Sequence, residues 1–145
     1  MATLTSTLTL SSTDAHSDTL SLSVTKDLTV NSPSAGISKI STAANPLGLG
    51  AGFLIPEDTN QYYVYVKHTG LLASDGTTSC HASNDFITLT DTDGTDGVIV
   101  KLQPSEFAFF PIKEGDGSDG GANDGGLKVV AGSAAVMIEY GFWSR

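Results

Sequence analysis

Leucine and threonine alternate near the start of this chain. In the stretch TLTSTLTLS the leucines Leu4, Leu8 and Leu10 all lie at even positions, and the threonines all lie at odd positions. The even positions stay apolar farther along, at Leu20, Leu22, Val24, Leu28 and Val30. A period of two with β-branched threonine on one face is typical of half-buried β-strands. We therefore predict two or three strands here; the alternative is a mobile Ser/Thr-rich arm, since terminal segments are often ordered only after docking.

Most of the remaining chain consists of short apolar runs separated by turn-forming residues. These runs cover residues 61–68, 86–90, 98–102, 105–112, 127–130 and 134–143. No segment of about ten residues combines apolar residues at helical spacing with helix-capping signals. Short strands with turn signals every ~8–12 residues are typical of antiparallel β-proteins. The sequence therefore predicts an all-β fold, namely an antiparallel, jelly-roll-like β-sandwich with an extended N-terminal strand segment.

A chain of 145 residues has the length of one domain. Between residues 31 and 60 it is rich in glycine and proline, and prolines such as Pro33, Pro46 and Pro56 are not expected in central strands. We therefore expect a loop there. The predicted organisation is an N-terminal Ser/Thr-rich strand segment or arm over residues 1–31 and a β-sandwich body over residues 32–145, together forming a single compact domain.

The charge of the chain restricts its partners. Sixteen acidic and seven basic residues give a net charge of −9. Binding to nucleic acid needs a basic face, and docking on anionic lipid needs a basic cluster, so neither nucleic acid nor membrane is expected as a partner. The N-terminus has no basic region followed by a continuous apolar run, so no signal peptide is predicted. We expect synthesis in a cytoplasm.

The acidic segment DTDGTDG raises the question of a calcium site. Counted from Asp91 as position 1, carboxylates stand at positions 1, 3 and 6 (Asp91, Asp93 and Asp96), and position 12 is Leu102. The helix–loop–helix calcium loop instead needs acids at positions 1, 3 and 5 and a glutamate at position 12. Because Asp-Gly is a preferred turn dipeptide, the segment is predicted to be a hairpin tip. The three aspartates stay candidates for a surface cation site only.

A second glycine-rich segment, GDGSDGGANDGG, resembles one turn of a calcium-binding β-roll. Such a repeat needs a large apolar residue where this chain has Gly121, and it needs several stacked copies where this chain has one. The segment is therefore predicted to be a long hairpin loop, and no metal or cofactor is expected.

The sequence offers no arrangement for catalysis. Cys80 and His81 are adjacent, and adjacent side chains of an extended segment point in opposite directions, so the two cannot form a nucleophile–base pair. Neither H-E-x-x-H nor G-x-S-x-G occurs. We predict that the protein is not an enzyme.

The C-terminal part, FITLT…VIVKLQPSEFAFFPI…LKVVAGSAAVMIEYGFWSR, resembles small virion structural proteins of tailed, especially marine, bacteriophages. The shared pattern is an L-x-P-[GS]-E-F turn and a final strand ending in [VI]-E-Y. Here these residues are Leu102, Pro104, Ser105, Glu106, Phe107, Ile138, Glu139 and Tyr140. The likeness covers roughly residues 61–145, and the pattern often has glycine in place of Ser105. It implies an all-β, non-enzymatic module that assembles on a particle.

The resulting hypothesis is a capsid decoration (cement) protein that binds and stabilises the major capsid shell. The alternative is a tail, neck or fibre component that contacts other virion proteins or the host surface. We expect a homo-oligomer, with a trimer favoured, located in the virion after assembly in the host cytoplasm. The predicted partner interface consists of Leu4, Leu8, Leu10, Leu47, Leu49, Phe53 and Trp143.

Overall fold

The computed structural model describes residues 2–13, 20–40, 61–81, 83–91, 98–113 and 127–145. Within these ranges the chain forms eight strands and no helix. The strands are β1 (Ala2–Ser12), β2 (Leu20–Ile40), β3 (Gln61–Leu72), β4 (Ile87–Asp91), β5 (Val98–Leu102), β6 (Phe107–Lys113), β7 (Leu127–Ala131) and β8 (Val136–Ser144). All strand pairings are antiparallel, which confirms the predicted all-β fold.

The strands are arranged in two sheets. One has five strands in the order β1-β2-β8-β3-β6, and the other has three in the order β5-β4-β7. β4 pairs with β5 on either side of the acidic segment 92–97, as a hairpin there requires. β6 and β7, by contrast, belong to different sheets, so the predicted hairpin around residues 114–126 is wrong. That segment connects one sheet to the other.

β2 passes through Pro33, so the prediction of a loop at this proline is wrong. The first half of β2 pairs with β1 and its second half pairs with β8. The register shifts between Asn31 and Ser34, on either side of the proline. A bulge tolerates a residue without an N–H group, which explains how a proline fits inside this strand. The predicted boundary between residues 31 and 32 therefore falls within β2.

Residues from both sheets form one hydrophobic core. The even-numbered side chains of β3 from residue 62 to residue 68 are buried, Val64 and Val66 fully, and Ile87 and Leu89 of β4 are fully buried as well. The core cluster consists of Tyr62, Val64, Val66, Ile87, Leu89, Leu102, Leu127, Val129, Ala131, Val136, Ile138 and Phe142. Full burial of a Val, Leu, Ile or Phe side chain stabilises a fold by about 1.5–3 kcal/mol. The core therefore covers one face of strands β8, β3 and β6, and their other face does not contribute to it.

A tight turn leads from β5 into β6. The N–H of Glu106 donates to the carbonyl of Gln103 (3.0 Å), Pro104 occupies the second position, and Ser105 has a φ of 73°. This is a type II turn, whose third position requires a positive φ and favours glycine. The Glu106 carboxylate also accepts a hydrogen bond from the N–H of Gln103 (2.7 Å). These contacts account for the proline and the glutamate of the L-x-P-[GS]-E-F pattern.

Candidate partner-binding face

Four aromatic side chains lie on the outer face of β3 and β6. The rings of Tyr63 and Phe109 are stacked, with centroids 6.2 Å apart. Those of Tyr65 and Phe107 are 6.5 Å apart and tilted. Phe107 is 60% exposed and Phe109 is 38% exposed. Phe110 packs against the core on the opposite face, as expected from the alternation of side chains along a strand.

The apolar face of the β1–β2 hairpin lies on the same side of the sheet. Asn31 pairs with Ser144, which shares the inward face of β8 with Phe142. Because neighbouring residues of a strand point to opposite faces, Val30 lies on the outer face, where it is 2% exposed. The other even residues of the hairpin follow Val30 and place Leu4 opposite Leu28. The alternation of the N-terminal sequence therefore continues the outer face of the main sheet.

A cleft of about 420 Å³ separates β1 from this aromatic face. It is lined by Leu4, Leu8, Tyr65, Phe107, Phe109 and Trp143, together with residues 5–7. Farther out on the hairpin, the apolar side chains are between 44% and 53% exposed; these are Leu8, Leu10, Leu22 and Val24. The hairpin thus covers the aromatic face only in part. We call the hairpin side and the aromatic side of this cleft, taken together, the aromatic cleft.

The structure brings together part of the predicted interface. Leu4, Leu8 and Trp143 all line the aromatic cleft, although they are far apart in sequence. Leu10 lies beyond the cleft and is 45% exposed. Leu47, Leu49 and Phe53 lie outside the described residues.

The predicted interface omits three aromatic side chains that line the cleft. These are Tyr65, Phe107 and Phe109. The signal that could have found them was the parity that places Phe107 and Phe109 on a different face from Phe110. A strand with large aromatic side chains on both faces needs something to cover both.

Charged groups lie at the borders of the aromatic face. Lys67 and Glu139 form an ion pair of 3.9 Å, with both side chains at least 40% exposed. Burial, and secondarily the charge of Glu139, raise the pKa of Tyr65. At the opposite border the Arg145 guanidinium lies over the ring of Tyr63, 5.6 Å from its centroid. An apolar centre with charged groups around it is the usual composition of a protein–protein interface.

The fully buried His68 has a structural environment. Its Nε2 donates to the backbone carbonyl of Asp85 (2.6 Å), and its Nδ1 accepts the N–H of Gly70 (3.1 Å). This pair of contacts assigns the neutral tautomer with the proton on Nε2. Burial lowers the pKa of the ring, while the Asp85 carbonyl and carboxylate oppose that shift. With both nitrogens held by backbone groups, the imidazole has no site left for a substrate proton.

The Asp85 carboxylate joins two loops next to this histidine. It accepts hydrogen bonds from the N–H of His81 and from the Ser133 hydroxyl, both 2.7 Å long. The Ser133 contact is the main reason that the pKa of Asp85 is lowered. Burial raises the pKa of the nearby Cys80 thiol, which disfavours the reactive thiolate. The Ser133 hydroxyl therefore holds its loop against the segment at His81 through the Asp85 carboxylate.

The candidate cation site cannot be assembled from the described residues. Asp91 is the last residue of β4, whereas Asp93 and Asp96 lie outside the described residues. Across the described part of the chain, no group of three or more His, Cys, Asp or Glu side chains is placed to hold a metal ion.

Comparisons with known proteins give no relative for this chain. No family model matches it, and no curated protein or solved structure does. Among the residues that the structure describes, no helix has the length and apolar character of a membrane span.

Proposed function

We propose that this protein is a non-enzymatic structural protein of a tailed-phage virion, most specifically a decoration protein that binds the major capsid shell. In this proposal the aromatic cleft is the surface that contacts the shell. The protein fold would be a jelly-roll-like β-sandwich, an arrangement supported by the single core that residues of both sheets share. The resemblance of residues 61–145 to small virion proteins supports the choice of particle.

The exposure of Phe107 carries the proposal. A side chain of this size that is 60% exposed, beside Phe109 and above an open apolar cleft, leaves apolar area that a partner can cover. Removing apolar surface from water contributes roughly 25 cal/mol per Å². Aromatic residues at the centre of an interface commonly contribute most of the binding energy. Phe107 and Phe109 are therefore the expected anchors.

Binding to capsids tests this proposal. Purified protein is mixed with capsids of its own virus that lack it, and the bound fraction is measured by co-sedimentation. We expect the double variant Phe107→Ser/Phe109→Ser to bind at least about tenfold more weakly. The matched control is Val98→Ser/Ile99→Ser, which removes two exposed apolar side chains from β5 in the other sheet and should bind like the unaltered protein. Circular dichroism checks that each variant is folded.

Two outcomes would contradict the proposal. One is that the unaltered protein does not bind capsids; the other is that both double variants bind equally well. Binding to purified tails and not to heads would instead favour the tail, neck or fibre alternative.

A further inference from the structure

The free edge of β1 differs from the other sheet edges. The two sheets end in strands β1, β6, β5 and β7. β6 contains Pro111, β5 contains Lys101 and β7 contains Lys128. Prolines and lysines on edge strands are the usual means of preventing pairing with another chain. β1, with the sequence ATLTSTLTLSS, contains neither a proline nor a charged residue.

β1 is also long and accessible. It has 11 residues, none of them buried, and among the described strands it pairs only with β2. Its position relative to charge matters as well, because the chain carries a net charge of −9 and two copies repel each other over most of their surface. The first charged side chain of the sequence is Asp14, beyond the end of β1. The β1 edge therefore has no charged side chain of its own, and the charged residues that pair with it on β2, Lys26 and Asp27, have opposite signs.

We propose that β1 of one subunit pairs antiparallel with β1 of a second copy of this chain, so that two hairpins form one continuous four-stranded sheet. The interface is isologous, since the same edge is used on both sides, and it closes as a dimer, in contrast to the trimer expected from the sequence. The biological role of this dimer rests on the proposed function, because a decoration protein is expected to act as an oligomer. The argument that the dimer forms rests only on the properties of the β1 edge.

The sequence of β1 is compatible with pairing to itself. The register that matches the whole strand is centred on Thr7, so that Thr7 faces Thr7 of the second copy. Leu4 then faces Leu10, Thr5 faces Thr9, and Ser6 faces Leu8. Even positions pair with even positions, so the leucines of both copies stay on one face and the threonines on the other.

The other face already shows the contacts that such pairing would extend. Across the β1–β2 pair, the Thr5 hydroxyl donates to Asp27 (2.8 Å), and the hydroxyls of Thr7 and Thr25 are 3.1 Å apart. An antiparallel pair forms about one backbone hydrogen bond per residue, so residues 3–11 would supply roughly nine. A typical protein–protein interface has about ten. The β1 edge is therefore long enough for a stable contact.

A cysteine at the centre of β1 tests the register directly. Directly opposite Cα atoms of an antiparallel pair are about 4.5–5.5 Å apart, within the range that a disulfide bridges. In a Cys80→Ala background, Thr7→Cys should form a covalent dimer under mild oxidation. The control is Thr25→Cys, the cross-strand partner of Thr7 on β2. Two copies of residue 25 would lie three strand spacings apart, about 14 Å, and should not cross-link.

Charge at the same two positions tests whether the contact forms without a cross-link. By sedimentation velocity at about 0.15 M salt, where the screening length is about 8 Å, Thr7→Lys should weaken self-association about tenfold, because two lysines face each other. Thr25→Lys adds the same charge on the same face, but beyond the screening distance of about 8 Å, and should have little effect. The difference should shrink in 1 M salt, where the screening length is about 3 Å; a purely structural defect would not respond to salt.

The inference is overturned if the unaltered protein is monomeric at high concentration, if Thr25→Cys cross-links as readily as Thr7→Cys, or if both lysine variants associate equally well. Dimers that depend on position 7 support it. None of these measurements involves a capsid, so self-association and capsid binding can fail independently.

Discussion

The indole ring of Trp143 lies over Gly141, two residues earlier on the same face of β8. A Cβ atom at Gly141 would be only 2.6 Å from Cη2 of the indole and 3.1 Å from Cζ2. Real Cβ atoms do not approach other atoms so closely, so the glycine is what allows the ring to lie flat against the strand. The position of Trp143 in the aromatic cleft therefore depends on the absence of a side chain at residue 141.

Gly141→Ala should displace this ring. We expect a loss of about 1–3 kcal/mol in the free energy of unfolding, the usual cost of overpacking, together with a shift in tryptophan emission. Trp143 is the single tryptophan of the chain, so emission reports on this site alone. The control Gly76→Ala places a side chain at a φ of 68° in open space. It should cost stability without changing the emission, and unchanged emission in Gly141→Ala would contradict the packing described above.

Ser105→Gly should stabilise the protein. Ser105 adopts a φ of 73°, which costs a residue with a Cβ about 1–2 kcal/mol. Glycine removes that cost but loses more entropy on folding, so we expect a net gain of about 0.5–1 kcal/mol in denaturant unfolding. Ser74→Gly, in an exposed turn without a positive φ, should lose stability instead. Equal losses in the two variants would be evidence against strain at Ser105.

His68 should make stability depend on pH below neutrality. Its pKa in the folded protein is lower than its ordinary value of 6.5, so the unfolded chain binds a proton first. The contribution is fully present above pH 6.5 and is lost as the pH falls from 6.5 towards the folded pKa. His68→Gln should be less stable at pH 8 but should lack this slope when unfolding is measured at several pH values. An unchanged slope in the variant would assign it to another group.

Asp75 should make the stability of the protein depend on pH in a lower range than His68 does. Hydrogen bonds from the Thr78 hydroxyl and from the N–H groups of Thr77 and Thr78 lower its pKa from 3.8 to about 2. Its charged form is therefore favoured in the folded protein, and its contribution is present above pH 3.8 and lost as the pH falls through about 2. We expect the melting temperatures of the unaltered protein and Asp75→Asn to differ above pH 4 and to converge near pH 2. A constant difference would show that the effect is not ionic.

Much of the secondary structure could be predicted because alternation is a local property. β5 begins and ends at the predicted residues, Val98 and Leu102, and β3, β6 and β8 contain most of their predicted runs. The partners of these strands could not be predicted. A strand has two edges, and which other strand occupies each edge depends on residues far away in sequence. For this reason the segment after β6 was predicted to be a hairpin, whereas it connects two sheets.

The candidate site shows the same division. The sequence by itself determined that Phe107 and Phe109 share one face of β6, because side chains alternate along a strand. For the same reason it determined that Leu4 and Leu8 share one face of β1. It could not determine which face of β6 is covered, since Phe110 and Ile112 make the opposite face equally apolar. Only the tertiary structure decided this: Phe110 packs against the core that residues of both sheets form, and the hairpin crosses the Phe107 side without filling it. Burial depends on which distant strands are present, so local alternation could not reveal that this aromatic face is open.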